Sequence, residues 1–331
     1  MKIGWTHSLV LFLSLFTFDY RPAQAAAPLT KVVLTTGSFS EREGAVYVAQ
    51  DQGFFRKYSL DVTFVQVRSG PIGMAALSAG ESQFHWGSVT GANLGVIGEG
   101  SDLVFIAGFI NKLTGTFIVN PKIKSPEELK GKTLGVNSLS GGGWIFTMLA
   151  LDYWGLDPKR DGITIRVVGA DAVRTQAISS EVIDGGQLGY TFSSILQSKG
   201  FRVLADLQKL PIPYQGTGII TRRSFLASSP ATAENVLRGL LDAVTFIRNP
   251  ANKSQVMRSL ARGLRLQRVE DTEEGYQSIV GIYERKIYPS VDGIRNVIRL
   301  LGANNEKIRR LKAEDLVDDR IVNKLEKEGR F

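Results

Sequence analysis

The hydrophobic and polar positions along the chain form short apolar runs that alternate with longer, periodically apolar stretches. Runs rich in Val, Ile, Leu and Phe, such as Val62 to Val67, are typical of β-strands, whereas apolar residues three and four positions apart are typical of helices. Gly53 and Gly80 each follow a helical stretch, in the position where a left-handed cap is expected. This alternation predicts an α/β fold with mainly parallel sheets.

The alternation occurs in two blocks. The first block predicts strands and helices over residues 31–35, 43–52, 62–67, 72–79, 84–86 and 103–108. The second block predicts them over residues 116–119, 133–136, 144–154, 163–168, 172–180, around 194, 186–189 and 202–205. Within the second block, Ser125, Pro126 and Glu128 are typical of a helix start with a capping box. The shared order of elements indicates two similar α/β lobes.

The last part of the chain has a different pattern. From Ser224 to Phe331 it is almost wholly helical, and the long stretch after Ser229 and Pro230 carries its apolar residues on one face. Such a stripe is typical of a packing surface. A helical tail after two α/β blocks indicates that the chain returns to complete the first lobe.

The first 25 residues have the three-part layout of a secretory signal peptide. Lys2 supplies the basic start, Ser8 to Phe18 form an apolar run, and small residues surround a cleavage site after Ala25. The apolar run is shorter than the roughly 20 residues that span a bilayer, so an uncleaved anchor is the weaker interpretation. We expect export to a Gram-negative periplasm without a lipid anchor, because no cysteine lies near the cleavage site.

Composition and charge remove several classes of site. The chain has no cysteine, which excludes disulfides, iron–sulfur clusters and cysteine nucleophiles, and it has two histidines, His7 and His85. We therefore expect no metal and no cofactor. Loss of residues 1–25 leaves 38 basic and 31 acidic residues, a net charge of +7, but the basic residues are interleaved with acidic ones. This interleaving favours a solvated surface over a nucleic-acid interface.

Candidate ligand contacts lie where predicted strands end and helices begin. Ligands of open parallel sheets bind at the carboxyl ends of the strands, where free N–H groups and the helix dipole favour anions or carbonyl oxygens. Four loops have that context, at residues 37–40, 87–90, 138–143 and 190–193. The glycines after Ser140 match neither a Walker loop nor a dinucleotide fingerprint. Two loops from each block predict a site between the lobes.

Side chains near these loops add further candidates. The aromatic candidates, for which core packing is at least as favoured as ligand contact, are Phe39, Trp86, Trp144, Tyr190 and Tyr214. Arg42 and Arg174 lie near candidate loops, and Arg174 is the better candidate to neutralise an anion because it follows the loop 169–171. Asp171 is expected to cap the helix there, and His85 is expected to be a structural histidine.

Several stretches resemble the periplasmic binding proteins of the nitrate/sulfonate/taurine type, within the superfamily of thiamine-pyrimidine synthases. The stretch from Ala45 to Phe55 is similar to a recurrent stretch of that family, and Ser59 stands where the family usually has glycine. The further similar stretches are residues 58–62, 125–132, 134–136, 153–158 and 214–218. The resemblance covers essentially the whole mature chain, and as a set it is specific.

The resemblance implies an α/β, two-lobed periplasmic binding protein of type II, with two doubly wound domains, two crossover strands and a helical C-terminal tail. It implies lobe one over residues 28–114 plus 216–331 and lobe two over 115–215. A monomer would hold a small anionic or heterocyclic solute in the cleft and deliver it to a membrane permease powered by an ATPase. The family contacts that it carries over are Ser38, Phe39, Gly87, Ser88, Ser140, Gly141, Tyr190 and Tyr214.

Two other functions stay open. An enzyme on the same lobes, such as a decarboxylase or hydrolase, needs a general base in the cleft, for which His85, Asp171 and Glu41 are the candidates. The synthase chemistry of relatives uses cysteines, which this chain lacks. A periplasmic partner that delivers its ligand to a sensory receptor fits the same sequence as a transport protein does.

Overall fold

The computed structural model describes residue 1 and residues 28–331. The predicted signal peptide, apart from Met1, lies outside the described residues. Two five-stranded sheets form the framework. Their strands are β1 (Thr30–Thr36), β2 (Leu60–Gln66), β3 (Phe84–Gly87), β4 (Leu103–Gly108), β5 (Thr116–Val119), β6 (Thr133–Val136), β7 (Thr164–Val167), β8 (Gly185–Leu188), β9 (Arg202–Asp206) and β10 (Gly218–Arg222).

The helices of the described residues surround both sheets. They are α1 (Gly44–Asp51), α2 (Phe54–Lys57), α3 (Gly70–Ala79), α4 (Gly91–Gly98), α5 (Gly142–Tyr153), α6 (Asp171–Ser179), α7 (Tyr190–Gln197), α8 (Arg223–Ser228), α9 (Pro230–Arg248), α10 (Lys253–Gly263), α11 (Glu273–Ile282), α12 (Val291–Gly302), α13 (Glu306–Arg309) and α14 (Arg320–Lys327). Gly53 and Gly80 adopt the left-handed conformation, with φ of 72° and 83°.

The two sheets have the same topology. The first has the order β2-β1-β3-β10-β4 and the second the order β7-β6-β8-β5-β9. In each sheet the fourth strand runs antiparallel to its neighbours, and the other pairs are parallel. That antiparallel strand also carries a register shift in both sheets, at Ile219/Ile220 in β10 and at Phe117/Ile118 in β5. The two sheets are therefore related by an internal pseudosymmetry.

Each antiparallel strand is the one that the chain forms immediately after it leaves the other sheet. The chain passes from β4 to β5 through residues 109–115 and returns from β9 to β10 through residues 207–217. These two crossing segments lie side by side, because the N–H groups of Phe109 and Ile110 both donate to the carbonyl oxygen of Thr217. The sheets are thus joined by two adjacent chain segments.

We call the first sheet and its helices lobe one, and the second sheet with α5, α6 and α7 lobe two. The C-terminal tail lies on lobe one, since α9 packs on α1, α2 and β2, α12 on α4, and α14 on β4. Buried strands such as β4 and β5 are apolar throughout, whereas the edge strand β2 alternates between buried or half-buried and exposed positions. The tail therefore completes lobe one.

Two predicted helix caps differ from the structure. Pro126–Leu129 is a single 3-10 turn in which Ser125 makes no capping bond, and the Glu128 carboxylate accepts from the backbone N–H of Lys124 instead of the N-cap residue. Asp171 is the first residue of α6, and its carboxylate bonds other groups. Sequence spacing places these residues at helix starts but does not determine which N–H each carboxylate meets.

Within residues 28–331, no helix combines the length and the apolar character that a membrane crossing requires.

Candidate functional site

The loops at the carboxyl ends of strands from both sheets enclose a cleft between the lobes. The cleft has an inner cavity of about 40 Å³ and an outer cavity of about 480 Å³. Five residues lie between the two cavities and line both of them: Gly37, Ser38, Arg42, Asn137 and Gly143. These residues come from lobe one and lobe two, so a molecule in either cavity touches both lobes.

The inner cavity is small and polar. Hydroxyl and amide side chains dominate its lining: Thr36, Ser38, Ser88, Thr90, Asn93, Asn137 and Thr217. The amide oxygen of Asn137 is buried without a hydrogen-bond partner among the described residues. A ligand group with an N–H or O–H donor would satisfy that oxygen, and the volume limits the group to a few non-hydrogen atoms.

His85 forms part of the inner wall as a buried, neutral side chain. Its Nδ1 lies 2.9 Å from the hydroxyl of Thr35, and burial lowers its pKa to about 3. The imidazole fits between two glycines, because a Cβ on Gly73 or Gly87 would lie 2.5 or 2.6 Å from the ring. Its low pKa makes His85 a weak proton acceptor at neutral pH. The imidazole is therefore held as the structural histidine that the sequence predicts.

Glu43 is the acidic side chain of the inner cavity. The residue is 1% exposed, and burial raises its pKa from 4.5 to about 7, although Arg42 and the N–H of Ser40 act in the opposite direction. Its Oε2 accepts from the backbone N–H and the hydroxyl of Ser40, at 2.9 and 3.2 Å. Glu43 is therefore held by hydrogen bonds within lobe one, and it also lines the inner cavity.

Arg42 lies at the boundary between the two cavities. Its Nη2 donates to the hydroxyl of Ser38 at 2.7 Å, and its Nε donates to the hydroxyl of Ser40 at 3.1 Å. The guanidinium carbon also lies 5.1 Å from the ring centroid of Phe146 in lobe two. These contacts are with hydroxyls and an aromatic face rather than with a carboxylate, so the charge of Arg42 is directed into the cleft.

The outer cavity is rich in arginine. Arg42, Arg68, Arg174 and Arg265 line it, against the single carboxylate of Asp171. Arg174 is 2% exposed and donates to Asp171, to the carbonyl oxygen of Gly169 and to that of Gln187. Arg174 and Asp171 therefore neutralise each other within lobe two. The remaining arginines leave the outer cavity with a positive field.

The two lobes touch on both sides of the inner cavity. On one side the N–H of Ala92, in α4, donates to the carbonyl oxygen of Ser140 at 3.1 Å. On the other side the N–H of Tyr190, at the start of α7, donates to Oε1 of Glu41 at 2.8 Å. The acceptors follow the first parallel strand of their lobe, β6 for Ser140 and β1 for Glu41. The donors belong to the helix after the third parallel strand of the other lobe, α4 after β3 and α7 after β8. The structure is thus a closed form.

Five of the nine residues predicted for the site line the cleft. Ser38, Gly87 and Ser88 line the inner cavity, and Ser38, Phe39 and Arg174 line the outer cavity. Their shared position after a strand end, or at the start of the helix that follows, brings them together. Whether any of them contacts a ligand stays a prediction.

The other four predicted residues have different surroundings. Ser140 meets lobe one through its carbonyl oxygen, the Gly141 carbonyl oxygen accepts from Ile145 at the start of α5, and neither residue lines either cavity. The hydroxyl of Tyr190 donates to Asp206 at 2.6 Å, outside both cavities. Tyr214 is 0% exposed, and its hydroxyl donates to the carbonyl oxygen of Val89. Tyr214 therefore packs in the core, against Phe146, because the second crossing segment runs beneath the cleft.

Sequence reasoning missed several cleft residues. Asn137 follows β6 directly, as Gly37 and Ser88 follow their strands. The rule that ligands bind at the carboxyl ends of strands, here the strand-end rule, therefore also predicts Asn137. Arg265 has no such signal, since it enters the outer cavity from the helical tail with a left-handed φ of 53°. Arg174, the arginine that the sequence favours, is buried and paired with Asp171, whereas the guanidinium of Arg42 bonds hydroxyls at the boundary of the two cavities.

The described residues contain no group of three or more His, Asp or Glu side chains arranged to hold a metal ion.

The NMT1/THI5-like family model matches residues 42–253. No match to the chain was found among curated proteins.

Solved structures show the same fold. The alkanesulfonate-binding protein SsuA from Xanthomonas axonopodis pv. citri, bound to MOPS, has a TM-score of 0.71 at 18% identity, over 89% of this chain and 100% of its own. The periplasmic nitrate-binding protein NrtA from Synechocystis PCC 6803 has a TM-score of 0.74 at 13% identity, over 91% and 89%. The periplasmic aliphatic sulphonate binding protein SsuA from Escherichia coli has 0.68 at 17%, over 87% and 92%. The two-lobed fold predicted from the sequence is confirmed.

Proposed function

Since the chain belongs to the NMT1/THI5-like family, whose model covers residues 42–253, we propose that it is the solute-binding component of an ABC importer. It captures a small anionic or heterocyclic solute in the cleft and delivers it to a membrane permease and its ATPase. The three solved proteins described above, which share the fold, are binding proteins for sulfonates and nitrate, and this supports the assignment. Export and cleavage after Ala25 would place the monomer in the periplasm.

The observation that carries the proposal is the lining of the cleft by both lobes. Gly37, Ser38 and Arg42 of lobe one and Asn137 and Gly143 of lobe two face the same two cavities. A ligand that contacts both lobes binds the closed form better than the open form, and this difference in affinity drives closure. Ligand binding is then coupled to closure, and a permease is able to recognise the closed shape.

The hinge of this motion is the pair of crossing segments. We propose that residues 28–114 and 216–331 move as one body against residues 115–215. Gly115 adopts a φ of 80°, and Gly216 has no room for a side chain, since its Cβ would lie 2.4 Å from the carbonyl oxygen of Ile110. Few chain segments cross between the lobes, so changes of φ and ψ in these two suffice for opening.

The charges of the cleft favour a ligand with an acidic group in the outer cavity. Arg42, Arg68 and Arg265 carry positive charge there that is not paired with Asp171. A sulfonate or carboxylate would meet Arg42 at the boundary of the two cavities. The rest of such a ligand would place a small polar group in the inner cavity, near Asn137 and Ser88.

One observation favours an enzyme as the second candidate. Glu43 faces the inner cavity with a pKa of about 7, which suits a group that takes up and releases protons near neutral pH. The bases considered from the sequence are less suited, because His85 has a pKa of about 3, Asp171 pairs with Arg174, and Glu41 accepts from Tyr190. If the protein converts a compound and a Glu43→Gln variant does not, the enzyme function replaces the transport function.

Thermal-shift screening tests the binding function. The protein is produced with its own leader and screened against small sulfonates, nitrate, carboxylates, pyrimidines and amines. A ligand that binds only the native state adds about 2.7 kcal/mol of stability at a hundredfold excess over its Kd. Arg42→Ala should remove most of the shift given by an acidic ligand, and Arg258→Ala, at an exposed position on α10, is the matched control.

The same samples distinguish binding from catalysis. Each compound that raises Tm is incubated with the protein and analysed by mass spectrometry. Recovery of the unchanged compound supports a binding protein. Conversion of the compound, or a panel in which no class shifts Tm and the protein retains no small molecule after denaturation, contradicts the proposal.

A further inference from the structure

Glu41 is a side chain that lobe one places directly on the end of a helix in lobe two. It belongs to the short turn Glu41–Glu43, between β1 and α1 in lobe one, and it is 1% exposed. Its Oε1 accepts the N–H of Tyr190, the first residue of α7 in lobe two, at 2.8 Å. The positive end of the α7 dipole therefore meets a carboxylate of the protein itself.

The fit around Glu41 depends on two glycines. A Cβ on Gly189, which precedes α7, would lie 2.7 Å from Oε2 of Glu41. A Cβ on Gly275, in α11 of lobe one, would lie 2.2 Å from the hydroxyl oxygen of Thr191 and 3.2 Å from the Cβ of Glu41. Glycine at these two positions, one in each lobe, thus leaves room for the Glu41 carboxylate where the lobes meet.

Glu41 also carries an unsatisfied oxygen. Its Oε2 is buried without a hydrogen-bond partner among residues 28–331, and so is the hydroxyl of Thr191 next to it. The neighbouring N–H of Gly189 is already bonded to Asp171 at 2.8 Å. A buried ionised carboxylate with one free oxygen is costly, whereas a protonated carboxyl or an amide has less charge to desolvate.

The charged and titratable groups around Glu41 act in opposing directions, and the net result is a raised pKa. Burial raises its pKa, the carboxylate of Asp171 on α6 raises it further, and the N–H of Tyr190 and the guanidinium of Arg42 lower it. The other titratable groups that interact with it are Glu43 on its own turn and the phenols of Tyr47, Tyr190 and Tyr283. In an open form the carboxylate would face water and return towards its ordinary pKa.

We propose that Glu41 is a closure latch, a side chain of lobe one that holds the N-terminus of α7 in lobe two and keeps the lobes closed without ligand. The proposal rests on the proposed function, because closure matters only if the cleft captures a solute. The latch occupies a helix N-terminus that otherwise attracts anions. It thereby sets the closed fraction of the empty protein, and with it the affinity for any ligand that selects the closed form.

Two substitutions separate the hydrogen bond from the charge. Glu41→Ala removes the acceptor and leaves the N–H of Tyr190 unpaired whenever the lobes close, so the ratio of closed to open protein should fall on the order of tenfold. Glu41→Gln keeps an acceptor for that N–H and removes the charge, so it should close as the parent does below the raised pKa of Glu41 and at least as fully above it. Glu270→Ala, at an exposed carboxylate of lobe one, is the matched control.

Closure is measured without ligand, by the distance between spin labels on Glu81→Cys and Val182→Cys. These exposed residues follow α3 and α6, one in each lobe, and the absence of native cysteine makes the labelling specific. Small-angle scattering of the unlabelled protein checks the shape, and a thermal melt confirms that each variant is folded. We expect short distances for the parent, Glu41→Gln and Glu270→Ala, and a longer distribution for Glu41→Ala.

The pH dependence gives a second readout. Since closure raises the pKa of Glu41, the closed form takes up a proton, and the closed fraction of the parent should fall as pH rises from the ordinary pKa of 4.5 through that raised pKa. Glu41→Gln should show no such fall. A Glu41→Ala protein as closed as the parent overturns the latch, and so does loss of closure in Glu41→Gln equal to that in Glu41→Ala. Neither result affects the thermal-shift test of binding, so the two proposals fail separately.

Discussion

The two contacts that close the cleft occupy equivalent positions in the pseudosymmetric lobes but differ in chemistry. Near α4 the contact is between backbone atoms, from the N–H of Ala92 to the carbonyl oxygen of Ser140. Near α7 an N–H at the start of the helix, from Tyr190, meets the side-chain carboxylate of Glu41. An exposed ion pair between Arg299 in α12, which packs on α4, and Asp152 also joins the lobes, whereas the contact near α7 is buried.

The difference shows how one architecture supports two kinds of contact. A backbone contact is neutral at every pH and tolerates many side chains, because neither partner is a side-chain atom. A buried carboxylate depends on one residue, on the glycines around it and on its protonation. We therefore expect substitutions near α7 to change closure more than the same substitutions near α4, and only the α7 side to respond to pH.

The largest effect should come from the carboxylate that lobe two places on α7. Asp171 bonds the N–H of Gly189 and pairs with Arg174 at 2.6 Å, with both residues buried in the same lobe. Arg174→Ala would leave Asp171 uncompensated, so the free energy of unfolding should fall by about 3–5 kcal/mol. Denaturant unfolding measures this change, with Arg166→Ala at an exposed position of β7 as the control. An unchanged midpoint would contradict the structural role of the pair.

The next effect concerns Glu43, two residues beyond Glu41, whose hydrogen bonds stay within lobe one. Its pKa is raised from 4.5 to about 7 in the folded protein, so its contribution to stability is complete below about 4.5 and is lost as pH rises through 7. At about 1.4 kcal/mol per pH unit, the loss is about 3 kcal/mol. Glu43→Gln should flatten the dependence of Tm on pH over that range, and an unchanged dependence would show that Glu43 titrates normally.

A matched pair of glycine substitutions compares the two contacts directly. In Gly275→Ala the new Cβ would lie 2.2 Å from the Thr191 hydroxyl across the interface, whereas in Gly91→Ala it would lie 3.0 Å from the Cβ of Ser140. The first should lower ligand affinity on the order of tenfold or more, and the second only a few-fold, because a contact at 3.0 Å needs a small shift. Isothermal titration measures both. Equal losses would remove the distinction between the contacts.

The smallest effect should come from the exposed ion pair. Arg299 in α12 and Asp152 in α5 join the lobes at 2.7 Å, with side chains that are 58% and 42% exposed. Arg299→Ala should therefore change ligand affinity by less than about 1 kcal/mol, and the change should vanish at high salt. Titrations at low and high ionic strength test this. A larger loss that persists at high salt would mean that this pair, rather than Glu41, holds the lobes together.

Most of the fold follows from the sequence because its strands are strongly patterned. The predicted ranges 103–108, 116–119 and 133–136 coincide with β4, β5 and β6. These strands are buried, so their apolar runs stand out from the surrounding helices. The turn after Ser125 was harder to predict, since a capping motif determines where a helix begins but not whether it continues beyond one turn.

The site was predictable only as far as the strand-end rule reaches. That rule found Ser38, Gly87 and Ser88, whose position depends on local topology. It ranks Arg174 above Arg42, because it does not predict that the Arg174 side chain turns towards Gly169, Asp171 and Gln187 of its own lobe. The role of Glu41 likewise depends on a contact between the lobes, with Tyr190, which lies 149 positions further along the chain.

The most direct test of a cleft shared by both lobes is amide hydrogen exchange with and without a ligand found by the thermal-shift screen. We predict added protection in loops of both lobes, at residues 37–43 and 87–92 of lobe one and 137–143 and 169–174 of lobe two. Protection confined to one lobe, or to the surface groove between Leu226 and Lys324, would contradict ligand capture by closure.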